Sequence, residues 1–226
     1  MMEQQWKAAL WTAVVLVAGA LAQPAAGQKV APEYEIGALG LISDYRSVGV
    51  TNGAGQTGSV GPGLGVSGGF VLGQHMSNRW GGEFRYLYSR NELQLTSGSQ
   101  SASFNSQAHL IHYDVLYYFA DPDSRFRPYV AGGGGLKRYQ GVGTEDPFQP
   151  LSNLALLTKT SENKPMGDFG VGVKFRVTRH AIIRVEFRDY ITGVPKEVIA
   201  AAPGAKINGG LLHQWAPIFG ISWTWQ

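Results

Sequence analysis

The chain has 226 residues, a formal net charge of +3, no cysteine, and 44% hydrophobic residues at a mean hydropathy of −0.10. That balance is too polar for several transmembrane helices, and the lack of cysteine excludes a disulfide scaffold, a cysteine zinc site and a lipid-anchored N-terminal cysteine. The 31 glycines, 10 tyrosines and 6 tryptophans suit many short strands joined by turns, no boundary marks a second domain, and no basic run offers a nucleic-acid footprint.

Met1 to Lys7 is a short polar start with one lysine, and Ala8 to Ala22 is a nearly unbroken apolar run ending in small residues. Too short to span a bilayer comfortably, it predicts a secretory signal peptide over residues 1–22, or to residue 27 with cleavage after Ala25-Ala26-Gly27. Residues 28–226 then form one exported domain.

Eight strands are predicted in that domain: Tyr34–Leu41, Leu64–Gly73, Trp80–Leu95, Ser103–Ala120, Arg127–Tyr139, Asp168–Val177, Ala181–Tyr190 and Leu211–Trp225. The clearest alternation is Ala181–Tyr190, where Ile183, Val185 and Phe187 oppose Ile182, Arg184, Glu186 and Arg188. Trp80, Phe84, Tyr86 and Tyr88 likewise oppose Glu83 and Arg85, and Ile111, Tyr113, Val115, Tyr117 and Phe119 oppose His112 and Asp114. Phe169, Val171, Val173 and Phe175 oppose Lys174 and Arg176, and Trp215, Phe219, Ile221, Trp223 and Trp225 oppose Ala216, Gly220, Ser222 and Thr224. A soluble sheet would bury the apolar face, whereas a membrane barrel turns it to lipid and folds the charges inside.

The connections favour the membrane. Gly73–Arg79, Asp121–Ser124 and Thr178–His180 are short, while Ile42–Gly61, Thr96–Ala102, Gln140–Lys164 and Thr192–Gly210 read as longer loops. Antiparallel strands put all the short links at one end and all the long ones at the other, the pattern of an outer-membrane barrel. The expected fold is therefore all-β, an eight-stranded antiparallel up-and-down transmembrane β-barrel. Trp80, Tyr117, Tyr118, Trp215, Trp223 and Trp225 lie near strand ends and predict interfacial aromatic girdles.

The predicted interior charge set is Glu35, Glu83, Arg85, His112, Asp114, Lys137, Lys174, Arg176, Arg184, Glu186 and Arg188, with Asp168 assigned to the rim as a strand end. Six cations then face four acids. An eight-stranded barrel is just wide enough for its side chains to fill it, so the charges are expected to pair across the lumen as a polar plug. The competing reading is a narrow, basic ion path.

Other motifs carry less. Gly63-x-Gly65-x-x-Gly68 and Gly65-x-Ser67-x-Gly69 fit dinucleotide and hydrolase patterns, but a strand follows where both mechanisms need a helix. The run Gly132–Gly135 is expected to clear space inside the barrel for large neighbours. His109 and His112 fall on opposite strand faces, which argues against a shared metal, whereas His112, Asp114 and Ser106 are expected to share one interior face. Within the long loops, Pro150–Leu157 predicts a short amphipathic turn or a sticky patch, and Val198–Ala202 is similarly apolar.

The signal peptide, the alternating strands, the uneven loops, the "VEFRDY" strand and the aromatic "FGISWTW" end together resemble the small outer-membrane β-barrel proteins of outer membrane protein A type, over roughly Tyr34 to Gln226 and for the barrel domain only. The resemblance implies a non-enzymatic role in envelope structure and through external loops, without a cofactor. It implies as partners outer-membrane lipid and lipopolysaccharide, the barrel-assembly machinery that reads a terminal aromatic, here Trp225 before Gln226, and an extracellular partner at the loops. A small channel, a lipid-modifying barrel enzyme using His112 and Ser106, and a soluble lipocalin-like carrier with reversed faces are the alternatives.

Overall fold

The computed structural model describes residues 33–145 and 148–225, so the signal-peptide reading lies outside the described residues. In chain order the strands are β1 (Tyr34–Tyr45), β2 (Val48–Thr51), β3 (Thr57–Pro62), β4 (Gly65–His75), β5 (Trp80–Ser97), β6 (Gln100–Tyr118), β7 (Phe126–Gly141), β8 (Ala155–Leu157), β9 (Ser161–Arg176), β10 (Ala181–Gly193), β11 (Ile199–Ala201), β12 (Lys206–Asn208) and β13 (Leu211–Trp225). Eight of them pair antiparallel in the cyclic order β1, β4, β5, β6, β7, β9, β10, β13 and back to β1. The pairing of β5 with β6 along their whole length closes the ring, so the sheet has no free edge through its wall.

The alternation in β10 now has a direction. Val185 and Phe187 are 58% and 51% exposed while Arg184 and Glu186 are 0% and 3% exposed. Water would reject that arrangement, and hydrocarbon selects it. The soluble-carrier alternative, which needs the aromatics inside, is thereby excluded.

Tight links at residues 76–79, 119–125 and 177–180 lie at one end, here the turn end, and the long connections at the other, the loop end. One expected loop is absent. Thr96–Ala102 is the tip of a continuous ribbon in which β5 and β6 run 18 and 19 residues and reverse at Gly98-Ser99. Gly98 has φ +58°, as the first central position of a II′ hairpin turn requires.

The other connections are ordered on this ribbon. The β2–β3 hairpin continues the wall by pairing Ser59–Pro62 with Leu93–Thr96 of β5, and β12 pairs with β2. β8 and β11, from two different connections, pair with each other. The segments Pro150–Leu157 and Val198–Ala202 are thus not exposed sticky patches or a helical turn. Leu154, Ala155, Leu157, Val198 and Ile199 are buried in a roof, with Val50, Val60, Leu93 and Leu95.

Candidate functional site: the barrel interior and its mouth

In the turn-ward half of the interior, strand alternation brings four cations and five carboxylates into one layer. Arg85 on β5 donates from Nη1 and Nη2 to the two oxygens of Glu186 on β10, both at 2.8 Å, and from Nη2 to Glu83 Oε2 at 2.5 Å. Arg184 donates from Nη1 to Glu83 at 2.9 Å and to Glu186 at 3.1 Å, and from Nη2 to Glu35. Lys174 bridges Glu35 at 2.5 Å and Glu83 at 2.7 Å. Such bidentate, charge-assisted bonds offset much of the desolvation of buried charge, while Arg184 Nε and Arg188 Nη2 are left without a hydrogen-bond partner among the described residues.

A closed square finishes the network. Arg188 Nη1 lies 2.8 Å from Asp114 Oδ2 and 2.9 Å from Asp168 Oδ1, while His112 Nδ1 lies 2.9 Å from Asp114 Oδ1 and 2.9 Å from Asp168 Oδ2. Room for it comes from Gly133, where a Cβ would stand 2.2 Å from Asp114 Oδ1. His112, Asp114 and Asp168 are the one group among the described residues whose ligand-type atoms converge as a metal would need. Arg188 Nη1 already donates to Asp168 and stands 2.8 Å from Asp114 Oδ2, beside which a divalent cation would have to sit, so the donor set suits the guanidinium instead.

Asp168 therefore belongs to the interior and not to the rim. Strand β9 begins at Ser161, seven residues earlier than the sequence predicts, which carries Asp168 to mid-strand. The expected basic excess disappears with it. Arg176 lies outside the layer as well: it is partly exposed at the turn end and donates to Glu33 at 3.2 Å. Tyr118, expected in a girdle, turns inward and is 1% exposed, where Arg127 stands over its ring at 3.9 Å. The sequence reading missed Arg127, Glu33 and His75, which link at that end through His75 Nδ1–Glu33 at 2.9 Å and Arg127 Nη1–His75 Nε2 at 3.0 Å.

Loop-ward of the ionic layer the same strands turn apolar. Leu39, Leu41, Val71, Leu87, Leu110 and Ile218 are buried inside and merge with the roof in one cluster. Lys137 is set into this zone without a carboxylate. Its ammonium donates to Tyr45 Oη at 2.9 Å and to Gln214 Oε1, and stands 4.6 Å and 4.8 Å from the ring centroids of Tyr45 and Tyr139. Gln214 in turn donates to Ser43 at 2.8 Å, and Tyr139 shares a 2.6 Å bond with Thr192. Ser106 lies at the mouth, bonded to Asn91 Oδ1 at 2.8 Å, six residues up β6 from His112 and about 20 Å away along a strand. The two do not meet.

The match to known proteins agrees with this architecture. Residues 12–210 match the outer membrane protein beta-barrel domain. The chain belongs to that family. Among solved structures, OprG of Pseudomonas aeruginosa aligns with a TM-score of 0.55 at 14% identity, over 88% of this chain and 98% of OprG. Neisserial surface protein A aligns with a TM-score of 0.53 at 14% identity, over 84% and 96%. The attachment invasion locus protein Ail of Yersinia pestis, solved with the heparin analogue sucrose octasulfate, gives 0.49 at 11% identity, over 87% and 100%. No curated protein matches. At these identities the likeness is one of fold.

As a member of this family the chain resides in the outer membrane of a Gram-negative envelope. Its outward tryptophans lie at the two edges of the apolar wall. At the turn end Trp80 packs on Tyr117 at 5.0 Å, Tyr34 stacks on Trp225 at 6.0 Å and His180 on Trp223 at 5.1 Å. Trp215, 41% exposed, stands at the loop end.

Proposed function

We propose that this barrel is a non-enzymatic envelope protein whose interior is a closed plug and whose working surface is the ordered extracellular roof. The observation that supports the reading is the lining of the lumen: a charge-paired layer below, a mainly apolar zone above, and loop strands hydrogen-bonded to each other at the mouth. An ion crossing it would have to part the Arg85–Glu186 and Arg184–Glu83 pairs and then traverse the apolar zone, each step opposed by desolvation.

Two features argue against hydrolysis. Ser67 faces another hydroxyl, Ser43 Oγ, at 3.4 Å, and His112 is committed to Asp114 and Asp168. In this reading the outer leaflet's lipopolysaccharide surrounds the wall, the assembly machinery takes the β13 end, and the roof meets an extracellular partner. Lipid contact follows from the exposed apolar wall.

Single-channel recording of the refolded mature protein in a planar bilayer tests the plug, with insertion confirmed by heat-modifiable gel migration. Inserted protein without current steps is the expected result. Uniform, long-lived steps altered by neutralising Arg184 and Arg188 would replace the plug by a small channel.

A further inference from the structure

The wall formed by β5, β6 and β7 carries an outward polar ladder just above its apolar band. From Trp80 to Arg90 the outward face of β5 runs ten residues, about 25 Å of height for a strand tilted by roughly 40°, which equals the apolar band of an outer-membrane barrel. Arg90 thus stands at the outer headgroup level. Across the wall Tyr88 pairs with His109 and His109 with Arg138, while Arg90 pairs with Gln107 and Gln107 with Gln140.

These side chains are braced sideways. Arg90 Nε donates to Tyr88 Oη at 3.0 Å, Tyr88 donates to Gln107 at 2.9 Å, Gln107 to Gln140 at 3.0 Å, and Arg138 Nη2 to Ser161 Oγ at 3.2 Å. Neither arginine joins an ion pair among the described residues, and most of their N–H groups stay free to point outward. Two strands and two residues separate them, about 10 Å across the wall and about 7 Å along it. Glu92 is one outward position beyond Arg90. On the opposite wall the loop-ward edge is mixed in charge, with Asp44 and Asp189 on either side of Trp215 and Arg46 and His213 one outward position beyond.

We propose that Arg90 and Arg138 form a docking face for the phosphorylated headgroup of lipopolysaccharide in the outer leaflet. The face combines two braced guanidinium forks, suited to bidentate phosphate contact, with an apolar wall directly beneath for the acyl chains. It rests on the outward orientation of the long connections and on no property of the lumen, so the conductance result leaves it untouched.

The test uses the refolded protein in phosphatidylcholine nanodiscs titrated with bisphosphorylated, monophosphorylated or dephosphorylated lipid A, with bound lipid counted by native mass spectrometry. Wild type is expected to prefer the bisphosphorylated form over the dephosphorylated one by about tenfold, and Arg90→Gln with Arg138→Gln to remove that preference while keeping heat-modifiable migration. Lys206→Gln, on β12 in the roof, should leave it intact. A preference retained by the folded double variant, or none in wild type, would overturn the proposal. Should the double variant fail to fold, each single variant decides alike by losing about threefold or nothing.

Discussion

The turn-ward half of the lumen is lined by buried charge and the loop-ward half mainly by hydrocarbon, although the same strands line both. β5 passes from Glu83 and Arg85 to Leu87, Leu93 and Leu95 on a single face, and β6 from Asp114 and His112 to Leu110, Ala108 and Phe104. The two halves solve the packing of a narrow barrel differently. In the ionic half each side chain is held by named partners, so the arrangement is specific and intolerant of a missing member. In the apolar half the requirement is volume, and stability is spread over many small contacts.

Removing one acid gives the largest separation between the halves. Glu186 accepts from Arg85, Arg184 and Arg188, so Glu186→Ala leaves three buried guanidinium groups short of their counter-charge and is expected to cost about 3–5 kcal/mol. Thr224→Ala, in the same lumen, loses a hydroxyl that holds a 3.5 Å bond to the His180 carbonyl and also bonds Glu33 but stabilises no buried charge of the ionic layer, and should cost about 1 kcal/mol. Urea midpoints of the refolded variants, read by heat-modifiable migration, measure both. Equal midpoints would mean that the ionic half is held by volume after all.

The contrast also explains which parts were legible in the sequence. Two-residue alternation in β5, β6, β10 and β13 places every side chain on its face, and in β5 and β10 a slip by one residue would turn arginines to lipid. Asp168 was misplaced because Ser161–Gly167, with Pro165 inside it, carries no alternation; that stretch is strand only through its pairing with β7 and β10. Alternation alone would have turned Tyr118 inward, but its proximity to Tyr117 and the strand end read as girdle. The strands of the roof were invisible for a third reason. β8, β11 and β12 are three residues long, too short to show any period, and exist by pairing with distant segments. Which acid meets which cation across the lumen likewise depends on closure of the ring, not on any local pattern.

A cavity in the roof should give an intermediate and localised effect. Leu154 is fully buried among the loop strands, and its backbone carbonyl accepts from Ala202 of the last connection at 3.1 Å. Leu154→Ala is expected to cost the roof about 2–4 kcal/mol while leaving the wall ladder alone. Limited proteolysis of the protein in intact vesicles should then cut the connections between β7 and β9 or β10 and β13 far faster than in wild type, at an unchanged urea midpoint. A midpoint that falls together with proteolytic protection would show roof and barrel to be one cooperative unit, and the division drawn above would move from the mouth to the membrane edge.

The smallest expected effect is the sharpest discriminator, because it concerns one charge in the wrong half. Lys137 lies fully buried among tyrosines and leucines, satisfied by Tyr45, Gln214 and two aromatic faces but by no carboxylate. Lys137→Met keeps the length of the side chain and removes a buried charge that pays desolvation without a Coulombic return. The loss of two hydrogen bonds works against that gain, so the net change is expected within about 1 kcal/mol of zero. Lys174→Met, the same substitution in the ionic half, strands Glu35 and Glu83 and should cost about 3–5 kcal/mol. If both variants lose stability equally in urea, an acid must reach Lys137 in the folded state, and the hydrocarbon half of the lumen is ionic too.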